Sequence, residues 1–168
     1  MDDKNDIISY EAGTQINYTG EIIIMRDAAQ KRLLEYFSRT GQLPLDLKNK
    51  IIFYAGPAKT PEGETIGAIG PTTSQRMDKF LDLLFQNGVI GTVGKGKRTE
   101  TAVQACSEHK TCYFLTPSGA AASLSSRVKS HEVILFEDLQ SEAIQRITVE
   151  DFPLVVAIDA EGKTIWEK

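Results

Sequence analysis

The stretch that decides the fold is GEIIIMRDAAQKRLLEYFSRTG, residues 20–41. The apolar run IIIM at 22–25 is far too short to span a bilayer, and residues 21–25 read as a strand. From Asp27 the period changes. Ala29, Leu33, Leu34 and Phe37 fall on one helical face, Asp27 can cap the start, and Gly41 can end it. A strand passing into an amphipathic helix points to an α/β protein.

Outward from this stretch the alternation continues. Residues 15–19 read as a strand before Gly20, and IIFYA at 51–55 as a short buried strand. The spacing predicts a helix over 74–87, with Met77, Phe80, Leu81, Leu84 and Phe85 as its apolar stripe and Gly88 beyond its end. A strand at 89–93, a helix over 99–109 and a strand at 112–115 follow. GAAASLSSRV (119–128) reads as a small-residue helix, with strands near 133–136 and 154–158. A DAEG turn at 159–162 leads to a last strand around 164–166. Alternation in the middle predicts parallel pairing, and the two ends predict antiparallel pairing. The expected class is therefore α/β with mixed sheets. GPAKTPEGE (56–64) reads as a loop inside one domain covering residues 1–168, since no repeat or low-complexity tract divides the chain.

Composition narrows the function. With 19 basic and 23 acidic residues the net charge is −4, against the basic excess that nucleic acid or an anionic membrane requires. Any bound anion must be held by a local cluster. The 168 residues contain two cysteines, too few for an iron–sulfur cluster or a Cys-rich zinc site. The start, MDDKNDII, is acidic and lacks an apolar core, so no signal peptide is expected. A cytoplasmic location is the expectation, with Cys106 and Cys112 as buried structural thiols.

Three places break local rules. A helix N-terminus favours acidic side chains, yet Arg26 precedes one expected helix and Arg76 falls in the first turn of another. Either both arginines are solvated or a bound anion offsets their unfavourable position. GPTTSQRMD (70–78) adds Thr72, Thr73 and Ser74 before helix N–H groups, more than an N-cap needs. VGKGKR (93–98) places Lys95 where a strand ends, the side on which α/β sheets bind ligands. It is not a P-loop: position 89 is Val where the first glycine belongs, and Gly96 follows the lysine. Arg26, Thr72, Thr73, Arg76 and Lys95 thus point to a shared site for an anion with two carboxylates, which arginine grips bidentately. His109 and His131 lie outside these motifs and read as ordinary surface or core histidines. Asp27 and Asp78 adjoin them, where helix capping and solvation account for both.

RDAAQKR, GPTTSQRMD, VGKGKR and FPLVVAID (152–159) together resemble the β subunit, or C-terminal region, of class I fumarate hydratases and the related L(+)-tartrate dehydratases. The resemblance runs from about residue 12 to the end. It implies a swivelling β/β/α domain and an iron–sulfur hydro-lyase built from two unequal subunits. The [4Fe–4S] cluster would be carried by the α subunit and none by this chain. The implied assembly is of the α2β2 type, acting on fumarate and L-malate, with no nucleic-acid or membrane partner. It implies proton transfer at Thr72 and substrate binding by Arg26, Thr73, Arg76 and Lys95, with no metal ligand among them. Gln30 departs from the pattern, since many members carry His there. A tartrate dehydratase subunit and a non-catalytic dicarboxylate-binding module are the competing expectations.

Overall fold

Residues 22–25 are all apolar because both faces of their strand are buried. Ile22 and Ile24 point into one hydrophobic cluster, Ile23 and Met25 into another. The same two-residue alternation repeats at Ile51, Ile52, Phe53 and Tyr54, and again at Cys112, Tyr113 and Phe114. The computed structural model describes residues 4–57, 60, 62–116 and 121–166.

The elements run α1 (Lys4–Ser9), β1 (Gln15–Ile24), α2 (Asp27–Thr40), β2 (Ile51–Phe53) and a 3-10 helix (Gln75–Phe80). They continue with α3 (Leu81–Gln86), β3 (Gly91–Gly94), α4 (Glu100–His109), β4 (Cys112–Leu115) and α5 (Ala121–Ser125). β5 (Val128–Leu135), a second 3-10 segment (Glu137–Glu142) and β6 (Ile144–Ile158) complete the described chain. β1, β2, β3 and β4 pair in parallel in that order. β6 pairs antiparallel with both β4 and β1, closing five strands into a ring, and β5 hangs on β6 outside it. One cluster, with Phe53, Phe114, Phe152 and Val156, fills the ring. The other lies between the ring and α2, α3 and α4. The α/β class with a mixed sheet is the observed architecture.

Several boundaries differ from expectation. Gly20 does not divide two strands: β1 runs through it with a register shift, and Tyr18 folds over it, so a Cβ there would stand 2.7 Å from Tyr18 Oη. The helix expected over 74–87 breaks at Phe80 into the 3-10 helix and α3. β6 is fifteen residues long where only 154–158 was expected. Glu150 and Asp151, with Asp151 at φ 53°, mask the continuity of β6. β5 begins at Val128, inside the stretch expected to be helical; residues 119–120 of that stretch lie outside the described residues. At 164–166 a single bridge, Ile158 to Thr164, replaces a strand. No helix among the described residues is long and apolar enough to cross a membrane.

Candidate functional site

Parallel pairing sends the carboxyl ends of β1, β2 and β3 to one rim of the ring, and the candidate residues are on that rim. Arg26 follows β1, Tyr54 follows β2 and Lys95 follows β3. The segment around Thr72 is inserted between the last two. Thr72 N donates to the Tyr54 carbonyl (2.8 Å), Lys95 N to the Thr72 carbonyl (3.2 Å), and Ser74 N to the Lys95 carbonyl (3.0 Å). Thr73 and Lys95 form a parallel bridge. Backbone bonds thus place Thr72, Thr73 and Lys95 side by side although some twenty residues separate them in sequence.

Arg26 stands at the N-cap of α2 in extended conformation and makes no side-chain capping bond. Its guanidinium lies over Gly56, where a Cβ would meet Nη1 at 2.9 Å and Cδ at 3.3 Å. Arg26 Nε is buried without a partner among the described residues. One helical turn on, Gln30 is fully buried, with Nε2 3.5 Å from Met77 Sδ and Oε1 without a partner among the described residues. Gln30 therefore packs between the segments that carry Arg26 and Arg76, consistent with a supporting place. Among the described residues neither Arg26 nor Lys95 has a side-chain ion pair.

Arg76 has one. Its Nε donates to both oxygens of Asp27, at 2.8 and 3.1 Å, and its Nη1 lies 3.4 Å from the Thr73 carbonyl. An acid of this chain thus offsets part of the helix–dipole mismatch of Arg76. Asp27 forms the first turn of α2 and binds Arg76 instead of capping the helix. Ser74, counted from sequence among three hydroxyls facing an anion, is turned inward and fully buried, with Oγ 2.8 Å from Tyr113 Oη. Thr72 and Thr73 remain. Thr72 Oγ1 donates to the Tyr54 carbonyl at 3.0 Å, leaving its lone pairs free to accept.

Asp78 is not a solvated cap. It is buried and its Oδ1 accepts from Arg98 Nε at 2.6 Å. Burial works against the charge of Arg98, but its contacts with Tyr54 and Asp78 prevail and hold it firmly protonated.

A cleft of about 410 Å³ opens where α2 meets the 3-10 helix, lined by Arg26, Asp27, Lys31, Arg76, Lys79 and Glu142 among others. Four cations against two acids give it a positive excess on a chain of net charge −4. Sequence reasoning did not single out Lys31, Lys79 or Glu142. Lys31 and Lys79 lie within or beside the recognised motifs, where their spacing to Arg26 and Arg76 was the available signal. Glu142 arrives from the segment before β6, which sequence spacing does not reveal. Two larger clefts, of about 570 and 550 Å³, lie away from the rim. In the first, the charges are already matched: Lys50 pairs with Glu21 at 2.6 Å, and Arg146 with Glu132. That makes it a poorer anion site than the rim.

The described residues do not suit a metal or cluster. No group of three or more His, Cys, Asp or Glu among them could hold an ion. Cys106 and Cys112 are buried, and burial pushes their thiols up to about 11 and about 12, far from the thiolate that a metal needs. His109 packs against the Phe85 ring and His131 bonds Gln145, both in other parts of the fold.

The chain is 37% identical over 168 residues to fumarate hydratase 2 of Leishmania major, covering 98% of this chain and 29% of that protein. It is 38% identical over 161 residues to the anaerobic class I fumarate hydratase of Escherichia coli K12, covering 95% of this chain and again 29% of the relative. The L(+)-tartrate dehydratase subunit beta of the same bacterium is 32% identical, with 95% of this chain matched to 81% of that subunit. The chain therefore spans less than a third of the fumarate hydratases but most of the tartrate dehydratase subunit. Residues 1–168 match the Fumarase C-terminus family. With the rim motifs in place and the match running through the whole sequence, this chain belongs to the Fumarase C-terminus family.

Proposed function

We propose that this chain is the β subunit of a class I fumarate hydratase, supplying the carboxylate clamp for reversible hydration of fumarate to L-malate. The observation that carries the reading is a pair of cations, Arg26 and Lys95, that have no ion pair among the described residues and flank Thr72 and Thr73 on one rim. Arg26 and Lys95 bind the substrate carboxylates, and Thr73 adds a hydroxyl donor. Arg76, anchored through Nε to Asp27, turns its remaining N–H donors to the same dianion. Abstracting a proton beside a carboxylate builds further negative charge, which fixed cations stabilise in a site closed to water.

Thr72 takes its place at the proton-transfer step. Its own hydroxyl proton is on the Tyr54 carbonyl, which cannot accept it outright, so the ultimate proton acceptor comes from elsewhere. The reading therefore requires an α subunit that completes the site, carries the [4Fe–4S] cluster and contributes a carboxylate, in an α2β2-type assembly in the cytoplasm. The cluster, when bound there, supplies Lewis-acid chemistry at substrate oxygen. Residues 1–168 act as one domain in this assembly.

A second reading, the β subunit of an L(+)-tartrate dehydratase, is supported by the 32% identity to the Escherichia coli subunit of that name. Anaerobic co-production with the candidate α chain, then assays with malate, fumarate and tartrate, decides between them. Arg76→Ala and Thr72→Ala should each cut turnover of the preferred substrate by roughly a hundredfold or more. Undiminished turnover in both would remove the site assignment. Tight malate binding by the chain alone, with no activity in any complex, would mark a sensing module instead.

A further inference from the structure

The rim loops are held from below by a buried polar cluster with no direct place in the chemistry. Arg98 lies at its centre. Its side chain is 1% exposed and that of Asp78 is 8% exposed. Arg98 Nε donates to Asp78 Oδ1 (2.6 Å), Nη1 to Thr92 Oγ1 (3.0 Å), and Nη2 to Tyr54 Oη (3.1 Å) and the Ser74 carbonyl (3.4 Å). The guanidinium carbon also lies over two rings, 5.1 Å from the Tyr54 centroid and 4.9 Å from that of Tyr113. The second Asp78 oxygen accepts from Thr99 N (2.9 Å) and Thr99 Oγ1 (2.6 Å). Tyr113 Oη lies 2.8 Å from both Ser74 Oγ and the Gly96 carbonyl.

Apart from Tyr54, Thr92 and Tyr113, which the strands carry or adjoin, the cluster joins two segments. Ser74 and Asp78 are in the segment that presents Thr72, Thr73 and Arg76. Gly96, Arg98 and Thr99 are in the one that presents Lys95. Stability alone does not explain such an arrangement. A buried ion pair contributes little net stability compared with a well-packed apolar pair, because two charges must first leave water. What it does impose is direction, since a planar guanidinium with four bonded partners admits one arrangement of the loops.

We propose that Arg98, through Asp78 and the Ser74 carbonyl, is a positioning residue that sets the distance and orientation of Lys95 relative to Thr72 and Arg76. The inference rests on the proposed carboxylate clamp for its kinetic consequence, though not for its structural one. With Arg98 fixed, Lys95 and the threonines present a single geometry to a dicarboxylate. Without it, the exposed loop from Lys95 to Lys97 moves independently of the segment from Thr72 to Arg76.

The test pairs Arg98→Met with Asp78→Leu in the full chain, alone and in complex with the α chain. An apolar pair of similar volume should restore most of the thermal stability lost in Arg98→Met alone. If Arg98 positions the loops, the double variant still shows KM for the preferred substrate raised roughly ten- to a hundredfold. It also shows faster tryptic cleavage after Lys95 and Lys97 in the isolated native chain. A stable double variant with wild-type KM and wild-type cleavage overturns the proposal. Asp78→Asn, nearly the same shape, gives the same two readouts on soluble protein should the double variant fold poorly. Wild-type behaviour in both would likewise overturn it. If the wild-type complex has no hydro-lyase activity, the clamp reading fails, and the cleavage rates still judge the loop-fixing role by themselves.

Discussion

Gly94 and Ser74 occupy nearly the same space: a Cβ on residue 94 would stand 1.9 Å from Ser74 Oγ and 3.0 Å from Tyr54 Cδ2. Ser74 cannot retreat, because its backbone is bonded to Lys95 and its hydroxyl to Tyr113. Gly94→Ala should therefore destabilise the fold by about 1–3 kcal/mol, the usual range for overpacking. Denaturant melts measure this. Adding Ser74→Ala should recover only part of the loss, since Ser74 Cβ itself would be 3.2 Å away.

Gly56 presents the opposite case. A Cβ there meets the flexible end of Arg26, at 2.9 Å from Nη1, while the nearest backbone atom, the Ser141 carbonyl oxygen, is 3.7 Å away. Arg26 yields and the backbone does not. Gly56→Ala should change stability by less than about 1 kcal/mol. Under the proposed function it should also raise KM several-fold by displacing the guanidinium, which steady-state kinetics of the complex reads directly.

Asp27→Asn removes the acid that holds Arg76. Both side chains are substantially exposed, at 37% and 43%, so the cost in stability should stay within about 1 kcal/mol. Electrostatics in the cleft shift more, because one of its two acids is lost against four cations. Under the proposed function, dicarboxylate binding to the isolated chain, measured by calorimetry at low salt, should tighten, and the gain should fade as salt is raised. Weaker binding would mean that orienting Arg76 is the larger contribution of Asp27.

The two thiols give a pH dependence. Burial raises Cys106 from its ordinary 9.0 to about 11 and Cys112 to about 12. The folded state thus holds these protons more tightly than the unfolded one. Their contribution is complete below about 9 and is lost as pH rises through 11 and 12, so stability should fall with pH across that window. Tyr113, also pushed up to about 12 by burial, adds to the loss above 10. Melts from pH 8 to 12 measure the slope, which should be shallower in Cys106→Ala. At pH 8 both thiols should react with a disulfide reagent only at the rate of unfolding.

Much of the site was legible because its residues are local. Arg26, Thr72, Thr73, Arg76 and Lys95 lie at the ends of recognisable elements, and a cation before a helix is conspicuous without knowing what it faces. The structure puts all five on one rim, but of them only Arg26 and Arg76 line the cleft there. Asp78 and Arg98 were not legible. Twenty residues apart, each looks like a solvated charge, and only parallel pairing of β2 with β3 buries them together. A signal existed in Asp78, which stands beside Met77 and three residues before Leu81 on an otherwise apolar face. In the fold, the short parallel strands followed from their apolar runs. β6 did not, because its first half faces β5 and carries Gln145, Arg146, Thr148 and Glu150, so an interrupted polar pattern hid a continuous ladder.

The closed ring also has a mechanical meaning. β6 acts as a hoop, its first half bonded to β1 and β5 and its second half to β1 and β4. A force on the rim, such as a neighbouring subunit pressing on the loops after β1, β2 and β3, is shared around the circumference and cannot pry open a free edge between those strands. The rim can then bear a large, tightly seated contact without the ring beneath it deforming, and compliance is confined to the loops themselves.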